Sequence, residues 1–154
     1  MLGKTGLHAI RALAVLAATD ANSFVGAAAI AARIRSPRNY LGKLLQSLAK
    51  AGLVEARKGL AGGFRLTRRP DTISLYDVVE PIERISRWNG CFLDHGACRS
   101  SHACRVHQHW SSVRESYVGF LKETTLVDVA DNQGSALPRV IPKPRPSARH
   151  RKRV

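Results

Sequence analysis

The sequence predicts a mainly α-helical fold, with three short helices, a two-stranded hairpin and a long C-terminal helix. Three observations lead to this prediction. Apolar residues recur at helical spacing in three stretches before residue 53. A glycine-rich segment at residues 57–63 then separates two short runs of strand-forming character. A final apolar pattern, with alternating steps of three and four residues, extends through residues 104–123.

The first two predicted helices are alanine-rich. Residues 6–18 carry Ile10, Leu13, Ala14 and Ala17 on one face, and alanine has the strongest helix propensity. A second, shorter helix fits residues 26–34, where small residues allow close packing. We expect both helices to bury one face. The apolar stripe of the second helix consists of Ala27, Ile30, Ala31 and Ile34.

The third predicted helix has signals at both ends. Ser36 suits the N-cap and Pro37 the first helical position, whereas Gly52 stops the helix. The break before it consists only of Arg35 and Ser36, which is as short as the turn of a helix-turn-helix pair. The buried stripe of this helix consists of Leu41, Leu44, Leu45 and Leu48.

A hairpin follows the helix pair. Residues 53–56 are predicted to form one strand, residues 57–63 a turn, and residues 64–66 the returning strand. Three helices followed by a two-stranded β wing make a winged helix-turn-helix, which is the fold class that we predict.

The C-terminal half should contain a short helix, a loop and a long helix. Residues 74–85 should be helical, with Ser74 and Asp77 at capping-box spacing and Pro81 bending or ending the helix. The long helix at residues 104–123 carries large apolar side chains. Core packing would explain them, but a small core has little room for so many, so we favour dimerisation along this helix. The side chains are Val106, Trp110, Val113, Tyr117, Phe120 and Leu121.

The net charge indicates a polyanionic partner. The chain carries a formal charge of +14 at pH 7, and ten Lys or Arg stand against one acidic residue between residues 33 and 69. Such a cluster attracts nucleic acid by counterion release and long-range attraction, although a basic surface kept for solubility is the alternative. No stretch approaches the roughly 20 apolar residues of a membrane span, and the N-terminal residues lack the apolar run of a signal peptide. We therefore expect a cytoplasmic protein with no membrane partner.

The candidate DNA contacts lie on the third helix and on the wing. If this helix enters a major groove, Arg38 and Asn39 are placed for base contacts, with Tyr40 and Lys43 beside them. A solvated polar helix face is the alternative. The hairpin turn combines basic side chains with glycine N–H groups suited to phosphate or a minor groove, although glycines also serve plain turns. The wing candidates are Arg57, Lys58, Gly59, Gly62 and Arg65.

Three cysteines lie within fourteen residues. Cys91, Cys98 and Cys104 have six and five residues between them, and His107 stands one helical turn after Cys104. In a reducing cytosol such cysteines are metal ligands or redox groups more often than disulfides. Three thiolates and an imidazole suit zinc or an iron-sulfur cluster, and the spacing alone does not choose. The other nearby histidines are alternative ligands or proton-linked switches in principle, and we assign them to the commoner case of exposed loop polarity. They are His95, His102 and His109.

Residues 2–131 resemble a known family in several stretches. The chain is similar to the bacterial winged-helix iron-sulfur regulators, the family of IscR, NsrR and RirA. The resemblance implies homodimers that bind imperfect palindromes in double-stranded DNA through helix and wing, with a long helix crossing the partner subunit. The stretches that carry it are TG at 5–6, AIRAL at 9–13, SPRNYL at 36–41, LAKAGLV at 48–54, GLAGGFRL at 59–66, ISLYDVV at 73–79 and TTLVDVA at 124–130.

The resemblance also implies an iron-sulfur cluster at the cysteines. In IscR-like members the equivalent of His107 completes a [2Fe-2S] site, so we favour [2Fe-2S] over [4Fe-4S] and over zinc. The interval between Cys91 and Cys98 is one residue longer than in IscR-like members and resembles that of NsrR-type chains. In NsrR-type chains an aspartate near the N-terminus of the other subunit is a cluster ligand. Here the matching position is Leu7, so that aspartate is missing. The neighbouring His8 could replace it by reaching across the dimer, but a histidine at such a position is more often a packed helix residue.

The sequence leaves two functional hypotheses. In the first, the chain is a transcription regulator whose operator binding is controlled by a cluster that senses redox state, nitric oxide or iron status. In the second, it is a zinc-stabilised winged-helix protein that binds nucleic acid without sensing. An enzyme with a small-molecule substrate is disfavoured, because no acid, phosphate loop or pocket signature accompanies Cys104 and His107.

We therefore divide the chain into four parts. Residues 1–85 form the winged-helix DNA-binding domain, residues 86–103 the cluster-binding loop, and residues 104–131 the dimerisation and closing helices. Residues 132–154 form a basic tail that contains four prolines and seven Lys or Arg but no acidic residue. Such a tail has little to bury and should be disordered.

Overall fold

The computed structural model describes residues 2–88, 90–93 and 104–130. Over these residues it is mostly helical with one two-stranded antiparallel sheet, which confirms the predicted fold class. None of the described helices is long and apolar enough to cross a membrane. Two short 3₁₀ turns, Pro70–Thr72 and Ile85–Arg87, flank the fourth helix. The elements are α1 (Lys4–Ala17), α2 (Ala27–Ile34), α3 (Arg38–Lys50), β1 (Val54–Arg57), β2 (Gly63–Leu66), α4 (Leu75–Glu83), α5 (His107–Glu123) and α6 (Leu126–Ala130).

One hydrophobic core lies around α1. The predicted stripes of α1, α2 and α3 face it, and Leu13, Ile30 and Leu45 are fully buried. Leu121 of α5 and Leu126 of α6 join the same core, so the C-terminal helices are anchored against the helix-turn-helix. Burying such side chains supplies the main favourable term in folding.

The start of α3 differs from the prediction. Pro37, in extended conformation, is the N-cap, and Ser36 lies outside the helix with its hydroxyl buried and without a hydrogen-bond partner. The reason is the end of α2: Arg35 adopts a left-handed conformation, and the Ser36 N–H donates to the Ala31 carbonyl at 2.9 Å. Ser36 therefore closes α2 instead of opening α3.

The wing has a short third partner. In the sheet, Glu55 pairs with Arg65 and Ala56 with Phe64. On its other edge, Phe64 exchanges two backbone hydrogen bonds with Val25, two residues before the start of α2, at 2.9 and 3.0 Å. A Cβ on Gly63 would lie 2.5 Å from the Val25 carbonyl, so only glycine permits this close approach.

The N-terminus of α1 is capped from a distant helix. Glu83 of α4 accepts hydrogen bonds from the N–H groups of Gly3 at 2.9 and 3.1 Å and of Gly6 at 3.0 Å. A carboxylate at this end satisfies free N–H groups and complements the helix dipole. A Cβ on Gly6 would lie 2.3 Å from the Glu83 Oε1 atom, so glycine makes room for the cap.

The predicted capping box of α4 is confirmed. The Ser74 hydroxyl accepts from the Asp77 N–H, and the Asp77 carboxylate accepts from the Ser74 N–H, both at 3.1 Å. Pro81 lies within α4, which ends at Glu83 because Arg84 is left-handed. Cys98, His95, His102 and the tail at residues 132–154 lie outside the described residues.

Candidate DNA interface and metal centre

The polar face of α3 borders a shallow groove. Arg38, Asn39 and Lys43 are exposed and stand on the side of α3 opposite its buried leucines. The far wall of the groove includes Phe64 of the wing and Ala27 of α2. The chain thus brings three of the predicted DNA-contacting residues to one basic, open surface. The remaining side chains of this surface are Gln46, Ser47 and Lys50.

Tyr40, the fourth candidate on α3, is half-buried and packs against the core. Its ring meets the imidazole of His8 edge-on, with the ring centroids 5.5 Å apart. His8 therefore contacts α3 of its own chain. Sequence periodicity gave no sign of this contact, because the two residues lie 32 positions apart.

Two of the wing arginines stack on one aromatic ring. The guanidinium carbon of Arg65 lies 4.7 Å from the ring centroid of Phe24, and that of Arg57 lies 5.8 Å from it. Arg65 also pairs with Glu55 across the sheet at 2.9 Å, so its charge is compensated. Arg57 and the exposed Lys58 remain as cations without an acidic partner in the described part of the chain. Phe24 was absent from the predicted site because it lies in a loop.

The two candidate glycines of the wing, Gly59 and Gly62, have different structural roles. The Gly62 N–H donates to the Gly59 carbonyl at 3.0 Å, so it is not a free donor for phosphate. A Cβ on Gly62 would lie 2.2 Å from the Arg57 carbonyl oxygen, which makes this glycine a requirement of the turn. Gly59 is exposed with a positive φ of 104° and keeps space around it. Gly59 is more exposed than Gly62 and therefore fits the predicted DNA contact better than Gly62 does.

Two of the proposed metal ligands, Cys104 and His107, lie at the start of α5. Cys104 is exposed and lies before the helix, whereas the prediction placed it on the same helix face as His107. The chain forms a turn there, in which the His107 N–H donates to the Cys104 carbonyl at 3.0 Å. Cys104 thus precedes the helix by one turn and remains near His107 along the chain. Within the described ranges no three potential metal ligands converge, and Cys98 falls outside those ranges.

The segment that carries Cys91 is held against α5 by aromatic side chains. The indole N–H of Trp110 donates to the Gly90 carbonyl at 3.0 Å, and the Trp110 ring packs on Phe92 with centroids 5.4 Å apart. Trp88 meets Tyr117 edge-on at 5.7 Å. Aromatic contacts therefore flank the half-buried Cys91 on both sides.

The outward side of α5 carries two large exposed apolar side chains. Val113 and Phe120, seven residues apart, are 59% and 53% exposed, and Phe92 of the preceding segment is 64% exposed. On the inner side Leu121 is fully buried and Tyr117 packs against the core. Burial raises the pKa of the Tyr117 phenol, and the nearby Glu83 carboxylate raises it further, so the phenol stays neutral. The predicted apolar stripe thus divides into a core side and an open side.

Solved structures share this fold. CymR of B. subtilis, described as the global cysteine regulator, superposes with a TM-score of 0.73 at 23% identity over 86% of this chain and 97% of that one. IscR of T. potens superposes with a TM-score of 0.68 at 25% identity over 86% of this chain and 87% of that one.

Sequence relatives agree with the structures. The chain is 30% identical to the HTH-type transcriptional regulator NsrR of Geobacillus kaustophilus over 83% of this chain and 88% of that protein. It is 28% identical to IscR of Klebsiella pneumoniae over 86% of this chain and 80% of that protein. A family profile described as that of iron-dependent transcriptional regulators matches residues 2–132. The predicted resemblance is confirmed: the chain is a DNA-binding transcription regulator and belongs to the Rrf2 family.

Proposed function

We propose that an iron-sulfur cluster controls the operator binding of this regulator. The proposed ligands are Cys91, Cys98, Cys104 and His107, with [2Fe-2S] preferred to [4Fe-4S]. The attachment of the Cys91 segment to α5 is the observation that carries this proposal. Because Trp110 binds the residue next to Cys91, a change in the loop at Cys91 is transmitted to the helix.

The donor chemistry fits such a cluster. Cys91 and Cys104 supply soft thiolates, and His107 supplies an imidazole at the start of α5. When bound, a cluster would supply a centre that gains or loses an electron or reacts with nitric oxide. The role of the chain is to hold the loop and α5 in one arrangement, which biases the regulator towards strong or weak DNA binding.

The DNA-reading surface in this proposal combines α3 and the wing. Arg38 and Asn39 contact base edges from the N-terminal end of α3, and Lys43 contacts phosphate. Arg57 and Lys58 add wing contacts, because no acidic side chain of the described residues compensates them. Tyr40, Gly59, Gly62 and Arg65 support the surface, the last through its pair with Glu55.

The proposed active form is a homodimer that binds an imperfect palindrome. The open side of α5 supports it, since Val113 and Phe120 follow a seven-residue spacing typical of paired helices. A second copy of α5 would cover these side chains. Two winged helices related by a two-fold axis then match the symmetry of a palindromic site.

The cluster is tested by spectroscopy on anaerobically purified protein. We expect visible absorption with about two irons per chain and an electron-paramagnetic signal after reduction. His107→Ala should shift that signal, whereas His109→Ala, two residues further along α5, should leave it unchanged. Operator affinity should change when the cluster is removed. Colourless protein with stoichiometric zinc would refute the proposal in favour of the zinc-stabilised protein without sensing.

The dimer is tested by sedimentation. Val113→Glu places a charge in the proposed helix pair and should shift the protein from dimer to monomer, with a matching loss of operator affinity. Gln108→Glu introduces the same charge at an exposed polar position of α5 and should leave the dimer intact. A wild-type protein that sediments as a monomer on DNA would contradict the proposal.

A further inference from the structure

Two non-glycine residues of the described chain have positive φ angles, and both are arginines. Arg35 (φ 54°) closes α2, and Arg84 (φ 52°) closes α4. Helices commonly end in this left-handed conformation, but glycine is the usual residue because a Cβ makes it unfavourable. The position of each arginine therefore costs free energy that a glycine would not.

We propose that Arg35 is a phosphate anchor of the DNA interface and keeps its unfavourable backbone conformation for that reason. This inference rests on the DNA-reading surface proposed above and adds a residue to it. Residues that the surrounding fold holds in an unfavourable backbone conformation are concentrated at functional sites.

The residue after Arg35 breaks a second local rule. The Ser36 hydroxyl is buried and has no hydrogen-bond partner, although a serine at this position would ordinarily cap the next helix. Two consecutive residues thus depart from the local optimum at the turn between α2 and α3. Departures that cluster in this way are typical of functional positions.

The surroundings of Arg35 favour an anionic partner from outside the chain. Arg35 is exposed and stands three residues before Arg38, the first residue of α3 and one of the residues that line the groove. No acidic residue occurs between residues 21 and 54, and none of the described ion pairs involves Arg35. A guanidinium there can bind phosphate by two parallel hydrogen bonds.

Arg84 is a natural comparison. It has the same residue type and backbone conformation, but it follows Glu80 and Glu83 on α4 and leads into the cysteine-bearing segment. A competing explanation is that both arginines only interact favourably with the negative, C-terminal end of a helix dipole. That explanation treats Arg35 and Arg84 alike, whereas a phosphate anchor distinguishes them.

The test compares Arg35→Gly, Arg84→Gly and Arg35→Lys in the full-length protein. The probes are a duplex selected by the wild-type protein from a random pool and a random-sequence duplex of equal length. Binding is measured from 50 to 200 mM salt, and stability is measured by thermal unfolding. Arg38→Ala serves as the benchmark for the surface on α3.

We expect Arg35→Gly to weaken binding to both duplexes about tenfold and to reduce the salt slope by about one per subunit. Arg35→Lys should keep the slope because it keeps the charge. Arg84→Gly should bind like the wild type. Relief of the backbone cost should raise the melting temperature of both glycine variants by about 3 °C.

Wild-type affinity and salt slope in Arg35→Gly would overturn the inference, as would an equal loss in Arg84→Gly. If Arg38→Ala weakens binding and Arg35→Gly does not, the inference fails and the surface on α3 stands. If Arg35→Gly weakens binding and Arg38→Ala does not, the anchor stands and the proposed surface on α3 is wrong.

Discussion

The indole N–H of Trp110 donates to the carbonyl of Gly90 across 3.0 Å, which ties α5 to the residue before Cys91. The two residues lie 20 positions apart in the sequence. A hydrogen bond of this length holds the beginning of the cysteine-bearing segment against α5. The same helix begins at His107, a proposed metal ligand, and carries Val113 and Phe120 of the proposed dimer contact.

Replacing Trp110 by phenylalanine should loosen the Cys91 segment. The ring contact with Phe92 is kept and only the hydrogen bond to Gly90 is lost, which costs about 1 kcal/mol of local stability. We expect faster loss of the visible absorption of the cluster under air, by roughly fivefold for such a free energy. Trp88→Phe, which removes no described hydrogen bond, is the control. Equal decay rates in both variants would contradict the assigned role of the bond.

Ser36→Ala and Ser74→Ala should have different effects on the free energy of unfolding. Ser74 caps α4 through a complete capping box, so its loss should lower the free energy of unfolding by about 1 kcal/mol. Ser36 has a buried hydroxyl without a partner, so alanine should leave stability unchanged or increase it. Urea unfolding of both variants checks this. A loss of about 1 kcal/mol in Ser36→Ala would restore Ser36 as the N-cap of α3.

The helix ends show how far the sequence could predict this fold. The leucine stripe of α3 and the capping box of α4 depend on neighbours within eight residues, and both were predicted correctly. Ser36 was assigned wrongly because its local signal competes with the closure of α2. The choice between them depends on the left-handed conformation of Arg35, which the residue type disfavours.

For the candidate site, the sequence supplied candidates. Composition and spacing suggest Arg38, Cys104 and His107, because charge and ligand chemistry are visible in the residues themselves, and their roles stay predictions. The stacking of Phe24 under two arginines and the contact between His8 and Tyr40 were not predictable, since each joins residues from separate elements. Such pairs are fixed by tertiary packing and leave no periodic pattern.

Alanine substitution should separate the wing glycines from an ordinary helix glycine. In Gly63→Ala the new methyl would lie 2.5 Å from Val25, so the wing must move and stability should fall by roughly 2 kcal/mol or more. In Gly42→Ala on α3 nothing lies within 4 Å, and helix propensity should raise stability by about 0.5–1 kcal/mol. Thermal unfolding of the two variants distinguishes the effects. Similar melting temperatures would contradict the close approach at Val25.

Phe24→Leu should weaken the wing without unfolding the protein. The ring lies under the guanidinium groups of Arg57 and Arg65, and a cation–π contact contributes about 0.5–1 kcal/mol at an exposed site. We expect a several-fold loss of DNA affinity with little change in melting temperature. Glu55→Gln, which removes only the ion pair to Arg65, is the comparison. Unchanged affinity in Phe24→Leu would show that the stack does not position the wing.

Asp128 should make α6 sensitive to acid. Hydrogen bonds from the Thr125 N–H and hydroxyl, at 2.7 and 2.8 Å, lower the pKa of the Asp128 carboxyl below its ordinary value of 3.8. This stabilisation is therefore complete above the ordinary pKa and is lost as the pH falls through the lower folded-state pKa. Asp128→Asn should be less stable at pH 7 and lose less stability on acidification. Parallel pH profiles of unfolding for the variant and the wild type would exclude this role.

The two backbone hydrogen bonds between Val25 and Phe64 have a consequence for operator geometry. They join the start of α2 to the wing, so the helix-turn-helix and the wing would present a footprint of fixed width on each half-site of the proposed palindrome. In the proposed dimer, operators whose half-sites lie further apart must then be matched by rotation of the two subunits about their common axis. The tolerance of this regulator for changes in half-site separation should accordingly be set at α5, far from the residues that read the bases.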